Sequence, residues 1–196
     1  VLHSDFTDGI TARDLRTYQA QAKQPLPPTT LLSFRPHLDT LAEIMAGYIR
    51  TQVRALGLTP EACRETALLC GCHGTVIHPP KGIEDTGYED TYGLFCRIEA
   101  QLRDEFGPIA IGWLNHRLGG DWTSPTLEQS AKAVQVEGIR SVVYYPFGFL
   151  GDNAETCLEG KAVLREVGIE SYHHLPCLNT DPAFIRFLAE VVGKEG

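Results

Sequence analysis

Short apolar runs alternate with amphipathic stretches along most of the chain, and no other feature restricts the fold as strongly. Glu65–Cys72, Ile109–Leu114 and Ser141–Tyr145 are largely apolar and read as strands buried on both faces. Leu38–Arg54 places Leu38, Leu41, Ile44, Met45, Tyr48, Ile49 and Val53 at helical spacing. Asp90–Phe106 predicts a second helix, stopped by Gly107-Pro108. Ser124-Pro125 opens a helix to about Glu137, with proline in its first turn. Another helix runs from about Asn153 to Val167 and stops at Gly168, and Asp181-Pro182 caps a last one reaching Val192. Thr30–Phe34 and Glu170–Tyr172 are shorter strand candidates. Buried strands alternating with helices imply a parallel sheet covered on both sides, a doubly wound α/β fold of the Rossmann or flavodoxin type.

Composition narrows the class of function. A chain of 196 residues, 43% hydrophobic and 21% charged, suits one large domain, or one domain with an appendage. Residues 1–27 read as that appendage, a helix and a linker. A net charge of −8 argues against nucleic-acid binding, which needs a basic footprint. No apolar run approaches the ~20 residues of a membrane span, and nothing indicates contact with a membrane surface. The polar start carries no signal-peptide pattern, and the absence of an initiator Met suggests a start elsewhere. The six cysteines contain no C-x-x-C pair, so a reduced, cytoplasmic setting is the expectation. An iron–sulfur cluster on Cys63, Cys70 and Cys72 is not expected, because Cys70 and Cys72 read as small fillers of a buried strand.

In doubly wound folds ligands sit beyond the carboxyl ends of the strands. His73 stands there, before Gly74, where an imidazole could take up a proton near neutral pH or simply brace the turn. Glu155 and Glu159 are four residues apart at the start of the helix after the third strand, with Asp152 just ahead of them. Such acids either favour a helix N-terminus, with Asp152 as a plain N-cap, or offer hard oxygen ligands to a divalent ion. Trp122, in the loop before a helix, could stack on a flat ligand or pin the loop to the core. His173-His174 point to opposite faces of a strand and read as structural. No G-x-G-x-x-G, phosphate loop or Gly-x-Ser-x-Gly is present, which disfavours nucleotide cofactors and serine hydrolysis.

Four segments, in order, resemble the ferrochelatases. Leu68–Thr75 is similar to the family's strand ending in Ser-Ala-His-Gly, and Trp113–Pro125 to its Gln-Ser-x-x-Gly…Trp-Leu-x-Pro loop. Val143–Thr156 resembles Pro-x-x-Phe-x-x-Asp-His-x-Glu-Thr, and Leu178–Ile185 the closing Leu-Asn-x-x-Pro-x-Phe-Ile. Upstream, Ser4, Thr7 and Gly9 match a Tyr-Ser-x-x-Thr-x-Gly stretch. Two positions depart from the pattern: Asn153 replaces the histidine after Asp152, and Asn115-His116 replaces Gln-Ser.

The resemblance implies insertion of Fe²⁺ into a porphyrin in haem synthesis, with Fe²⁺ as a substrate and no tightly bound cofactor. Another tetrapyrrole, such as sirohydrochlorin with cobalt or iron, is the alternative, and a non-catalytic tetrapyrrole-binding domain a third reading. His73 and Glu155 would be the catalytic pair. His73, Glu155, Asp152 and Glu159 would meet the metal, and Trp122, Tyr88, Arg117, Ser4 and Thr7 would meet the porphyrin. Residues 28–196 would form the second of two similar domains, joined by a missing N-terminal chelatase domain or by a homodimer partner. The last helix, 182–193, would then turn an apolar face of Phe184, Ile185, Leu188 and Val192 toward that partner.

Overall fold

The computed structural model describes residues 4–5, 9–22, 24, 29, 31–79, 81–115, 120–169 and 171–195. Its elements are α1 (Ile10–Gln21), α2 (Leu38–Ala55), α3 (Pro60–Arg64), β1 (Thr66–His73), α4 (Tyr88–Leu102), β2 (Ile109–Leu114), α5 (Leu127–Val136) and β3 (Ser141–Tyr145). A π-helical turn (Glu155–Glu159), α6 (Gly160–Val167), β4 (Ser171–His174) and α7 (Pro182–Glu195) complete it. All strand pairs are parallel, in the order β2-β1-β3-β4.

Side chains alternate across a strand, so β1 serves two cores. Leu68, Cys70 and Cys72 enter the larger one, built with α2, α4 and α7. Ala67 and Leu69 enter the other, built with α5 and α6, and His73 continues that parity. Helices thus cover both faces, the doubly wound architecture expected. Gly112 permits the closest approach, since a Cβ there would meet the Leu127 Cα at 2.6 Å.

Helix ends follow local chemistry. Thr59 Oγ1 accepts from the Ala62 N–H, and Thr126 and Gln129 form a reciprocal capping box. Asp181 Oδ1 accepts from the Ala183 and Phe184 N–H groups at 2.9 and 3.1 Å. Pro125 therefore lies outside α5 rather than in its first turn, because the Thr126 cap sets the start. The predicted strand Thr30–Phe34 does not form over its described residues. Ser33 Oγ accepts the Arg35 N–H, and the chain turns into a short 3₁₀ segment, Arg35–His37, with Leu32 and Phe34 packed on the core.

α7 buries Phe184, Phe187 and Val191, and Leu188 packs partly against the same core. Of the face expected to turn toward a partner, Phe184 and Leu188 pack on this chain's own core, and Ile185 and Val192 are exposed. α1 has no buried residue. No helix among the described residues is long and apolar enough to cross a membrane.

Candidate functional site

The connection after β1 leads to β2 on one side, while that after β3 leads to β4 on the other. β1 and β3 are neighbours, so their carboxyl ends flank the switch point where open α/β sheets leave a crevice. His73 ends β1, and Glu155 begins the turn after β3. The His73 Nε2 and Glu155 Oε1 are 3.7 Å apart, with about a third and a quarter of each side chain exposed.

The histidine is oriented. Its Nδ1 lies in hydrogen-bond contact with the Gly74 carbonyl oxygen, an acceptor only, so Nδ1 carries the proton. In the neutral ring the Nε2 lone pair then faces the carboxylate. The neighbouring backbone admits no side chain, since a Cβ on Gly74 would fall 1.8 Å from Asn115 Oδ1. Asn115 Nδ2 donates to the Thr123 carbonyl and Thr123 Oγ1 to Asn115 Oδ1, tying the end of β2 to the Trp122 loop.

Glu155 is held by its turn. Asn153 Oδ1 accepts the Thr156 N–H and Thr156 Oγ1 accepts the Asn153 N–H, a reciprocal cap. The cap is therefore Asn153 and not Asp152. His174 Nε2 donates to the Thr156 carbonyl at 2.9 Å. Burial, and then the Lys161 charge, hold the His174 pKa below its ordinary value, so the ring stays neutral. His174 is thus structural, as expected. Glu155 Oε2 is buried with no hydrogen-bond partner among the described residues.

The acids expected to accompany Glu155 behave differently. Asp152 Oδ1 accepts the Cys177 N–H and Oδ2 the Asn179 side-chain amide, both at 2.8 Å. Burial works to raise its pKa, but these hydrogen bonds outweigh it and keep the carboxyl below the usual range. Asp152 is a staple between two loops, and Glu159 is exposed further along the turn. The expected four-member ligand set of His73, Glu155, Asp152 and Glu159 is therefore not assembled. Among the described residues no three His, Cys, Asp or Glu side chains converge to hold a metal ion. Cys63, Cys70 and Cys72 all pack in the larger core, and burial pushes their thiols up, which keeps them protonated.

Tyr88 lies along the same edge of the sheet, stacked on Trp113 and Tyr92 with both centroid distances 5.7 Å. It lines a cleft of about 480 Å³ with Ile77, Pro79, Thr123, Glu84 and Glu89, within the usual range for small-ligand sites. His73 and Glu155 are not among its lining residues. Trp122 is half-buried on a loop paired to Val76, the Thr123 N–H donating to the Thr75 carbonyl at 2.9 Å. Ser4 is buried, and its neighbour Asp5 accepts the Glu84 and Asp85 N–H groups. Thr7 and Arg117 lie outside the described residues.

Sequence reasoning missed Asn115, Thr123 and Arg35. Arg35 pairs with both Asp85 and Asp90, fixing the start of α4, which bears Tyr88, to the 3₁₀ segment before α2. Long-range ties of this kind leave no periodic signal. What they assemble is a parallel α/β domain with an imidazole–carboxylate pair at its switch point, an arrangement suited to moving protons beside a bound ligand.

Comparison with known proteins defines the class further. The family model described as Ferrochelatase matches residues 2–195. The ferrochelatase of a Synechococcus species is 20% identical over 95% of this chain and 48% of its own length. That of Vibrio parahaemolyticus is 28% identical over 64% of this chain and 40% of its own. The solved structure described as that of CbiX, the terminal enzyme for biosynthesis of sirohaem in denitrifying bacteria, shares the fold. Its TM-score is 0.60 at 18% identity, over 98% of this chain and 71% of that one. The chain belongs to the ferrochelatase family, and it spans less than half the length of these two curated relatives.

Proposed function

We propose that this chain carries the proton-handling half of a tetrapyrrole chelatase that inserts Fe²⁺ into a porphyrin. The observation behind this reading is the His73–Glu155 pair, set 3.7 Å apart at the switch point with one carboxylate oxygen buried and without a partner among the described residues. Replacing the two inner N–H hydrogens of a free-base macrocycle by a divalent ion releases two protons. A neutral imidazole can take one at Nε2 and pass it to the carboxylate beside it before taking the second. The same groups offer a nitrogen and an oxygen to an ion shedding water. Glu155 would guide the metal, while Tyr88 and Trp122 would contact the flat ring. A second domain, or a second copy of the chain, would supply the opposite wall.

Anaerobic incubation with a dicarboxylate porphyrin and Fe²⁺ or Zn²⁺, followed by the visible bands, tests the reading. The expected result is metalloporphyrin formation that His73→Ala abolishes. Sirohydrochlorin with Co²⁺ in parallel distinguishes the alternative substrate. Porphyrin binding without insertion, also when an N-terminal half is added, would replace the proposal with a binding role.

A further inference from the structure

A buried hydroxyl lies between the strand that ends in His73 and the helical segment that begins at Glu155, and the reaction as described does not use it. Tyr144 is fully buried on β3, opposite Leu69 in register and on the His73 side of the sheet. A Cβ on Gly71, two residues before His73, would fall 2.4 Å from its hydroxyl oxygen. One on Gly160 would fall at 2.4 Å as well, and the Gly160 N–H bonds the Glu155 carbonyl. Two glycines thus open a slot between the strand that carries His73 and the turn that carries Glu155, and this hydroxyl fills it. The His174 ring stacks on Tyr144 at 5.5 Å and also braces the Thr156 carbonyl in that turn.

Two buried polar atoms of this region have no partner among the described residues: the Tyr144 hydroxyl and Glu155 Oε2. Their needs are complementary. A phenol can donate one hydrogen, and an ionised carboxylate oxygen can only accept. Burial drives the Tyr144 pKa far upward, so the phenol keeps its hydrogen, and the Glu155 charge adds to the same shift. Orphaned buried groups of this kind are rare in folded proteins and usually share a trapped water.

We propose that Tyr144 is the positioning residue for Glu155, its O–H supporting Oε2 through one enclosed water. Oε1 is thereby kept turned toward His73. The catalytic consequence rests on the chelatase reading, whereas the contact itself does not. The Tyr144→Phe change leaves in place every other titratable group around the turn: His73 from β1, His174 and Cys177 from the β4 side, and Asp152 and Cys157 from its own segment.

A double-mutant cycle on the full chain tests this by thermal unfolding, with Tyr144→Phe made alone and in a Glu155→Met background. The expected result is a melting temperature lowered by roughly 2–4 °C in the wild-type background and not lowered in the other. In Zn²⁺ insertion, Tyr144→Phe should lower kcat roughly three- to tenfold with the porphyrin KM unchanged. A melting temperature that is unchanged or raised, or equally lowered in both backgrounds, would overturn the proposal. So would thermal coupling with kcat intact, which would leave the hydroxyl a packing role only. If no variant inserts metal, the chelatase reading fails by itself and the thermal cycle still decides the contact.

Discussion

His174 shows how a residue without a chemical task shapes the site. Its neutral ring stacks on Tyr144 and donates to the turn behind Glu155, so protonating it removes neither contact but charges a half-buried group. Its folded pKa lies below the ordinary 6.5, and the unfolded chain therefore binds more protons between those two values. This contribution to stability is complete above about pH 6.5 and is lost as pH falls through that value toward the folded one. His174→Gln, which retains an N–H donor, should flatten the loss of stability just below pH 6.5. Urea unfolding at pH 7.5 and 5.5 measures it, and an unchanged pH dependence would contradict the assignment. The lowered pKa of Asp152 acts in the same sense, its contribution being complete above the ordinary 3.8 and lost as pH falls below that value.

At the scale of elements, glycines decide how closely helices meet the sheet. Gly112→Ala would press its Cβ into the Leu127 backbone and should cost about 1–3 kcal/mol by lifting α5 from β2. Gly47→Ala, in the middle of α2 with nothing within 4 Å of the new Cβ, should stabilise by about 0.5–1 kcal/mol. Denaturant midpoints for the two variants should shift in opposite directions, and a shared direction would count against this packing account. Sequence and structure agree best at this scale. Ile109–Leu114 and Ser141–Tyr145 are strands at the predicted limits, because apolar runs between turn residues admit little else. The start of α5 was misread at Pro125 because a Thr126–Gln129 box outranks proline, and the π turn at Glu155 has no periodic signature at all. His73 and Glu155 could be named from strand ends and from family resemblance. Thr123 and Tyr144 beside them could not, and Asn115 stands out only as a departure from the family pattern, since what each does depends on residues remote in sequence.

At the scale of the molecule, the carboxyl edge of the sheet holds two distinct features: the His73–Glu155 pair, and the Tyr88-lined cleft whose walls include Glu84 and Glu89. Under the proposed function a macrocycle would have its inner nitrogens near the imidazole, with the Trp122 loop, whose Thr123 lines that cleft, beside it. The chain matches less than half the length of the Vibrio and Synechococcus relatives, so a second wall from another domain or copy is part of the proposal. The whole account depends on the imidazole and carboxylate acting together. The direct test is the rate of Zn²⁺ insertion into a dicarboxylate porphyrin by wild type, His73→Ala, Glu155→Gln and the double variant. Each single change should lower kcat by about 10²–10⁴-fold, and the double variant should fall little further, as expected for groups that work as one unit. Losses that multiply, or a single variant that keeps the wild-type rate, would contradict the account.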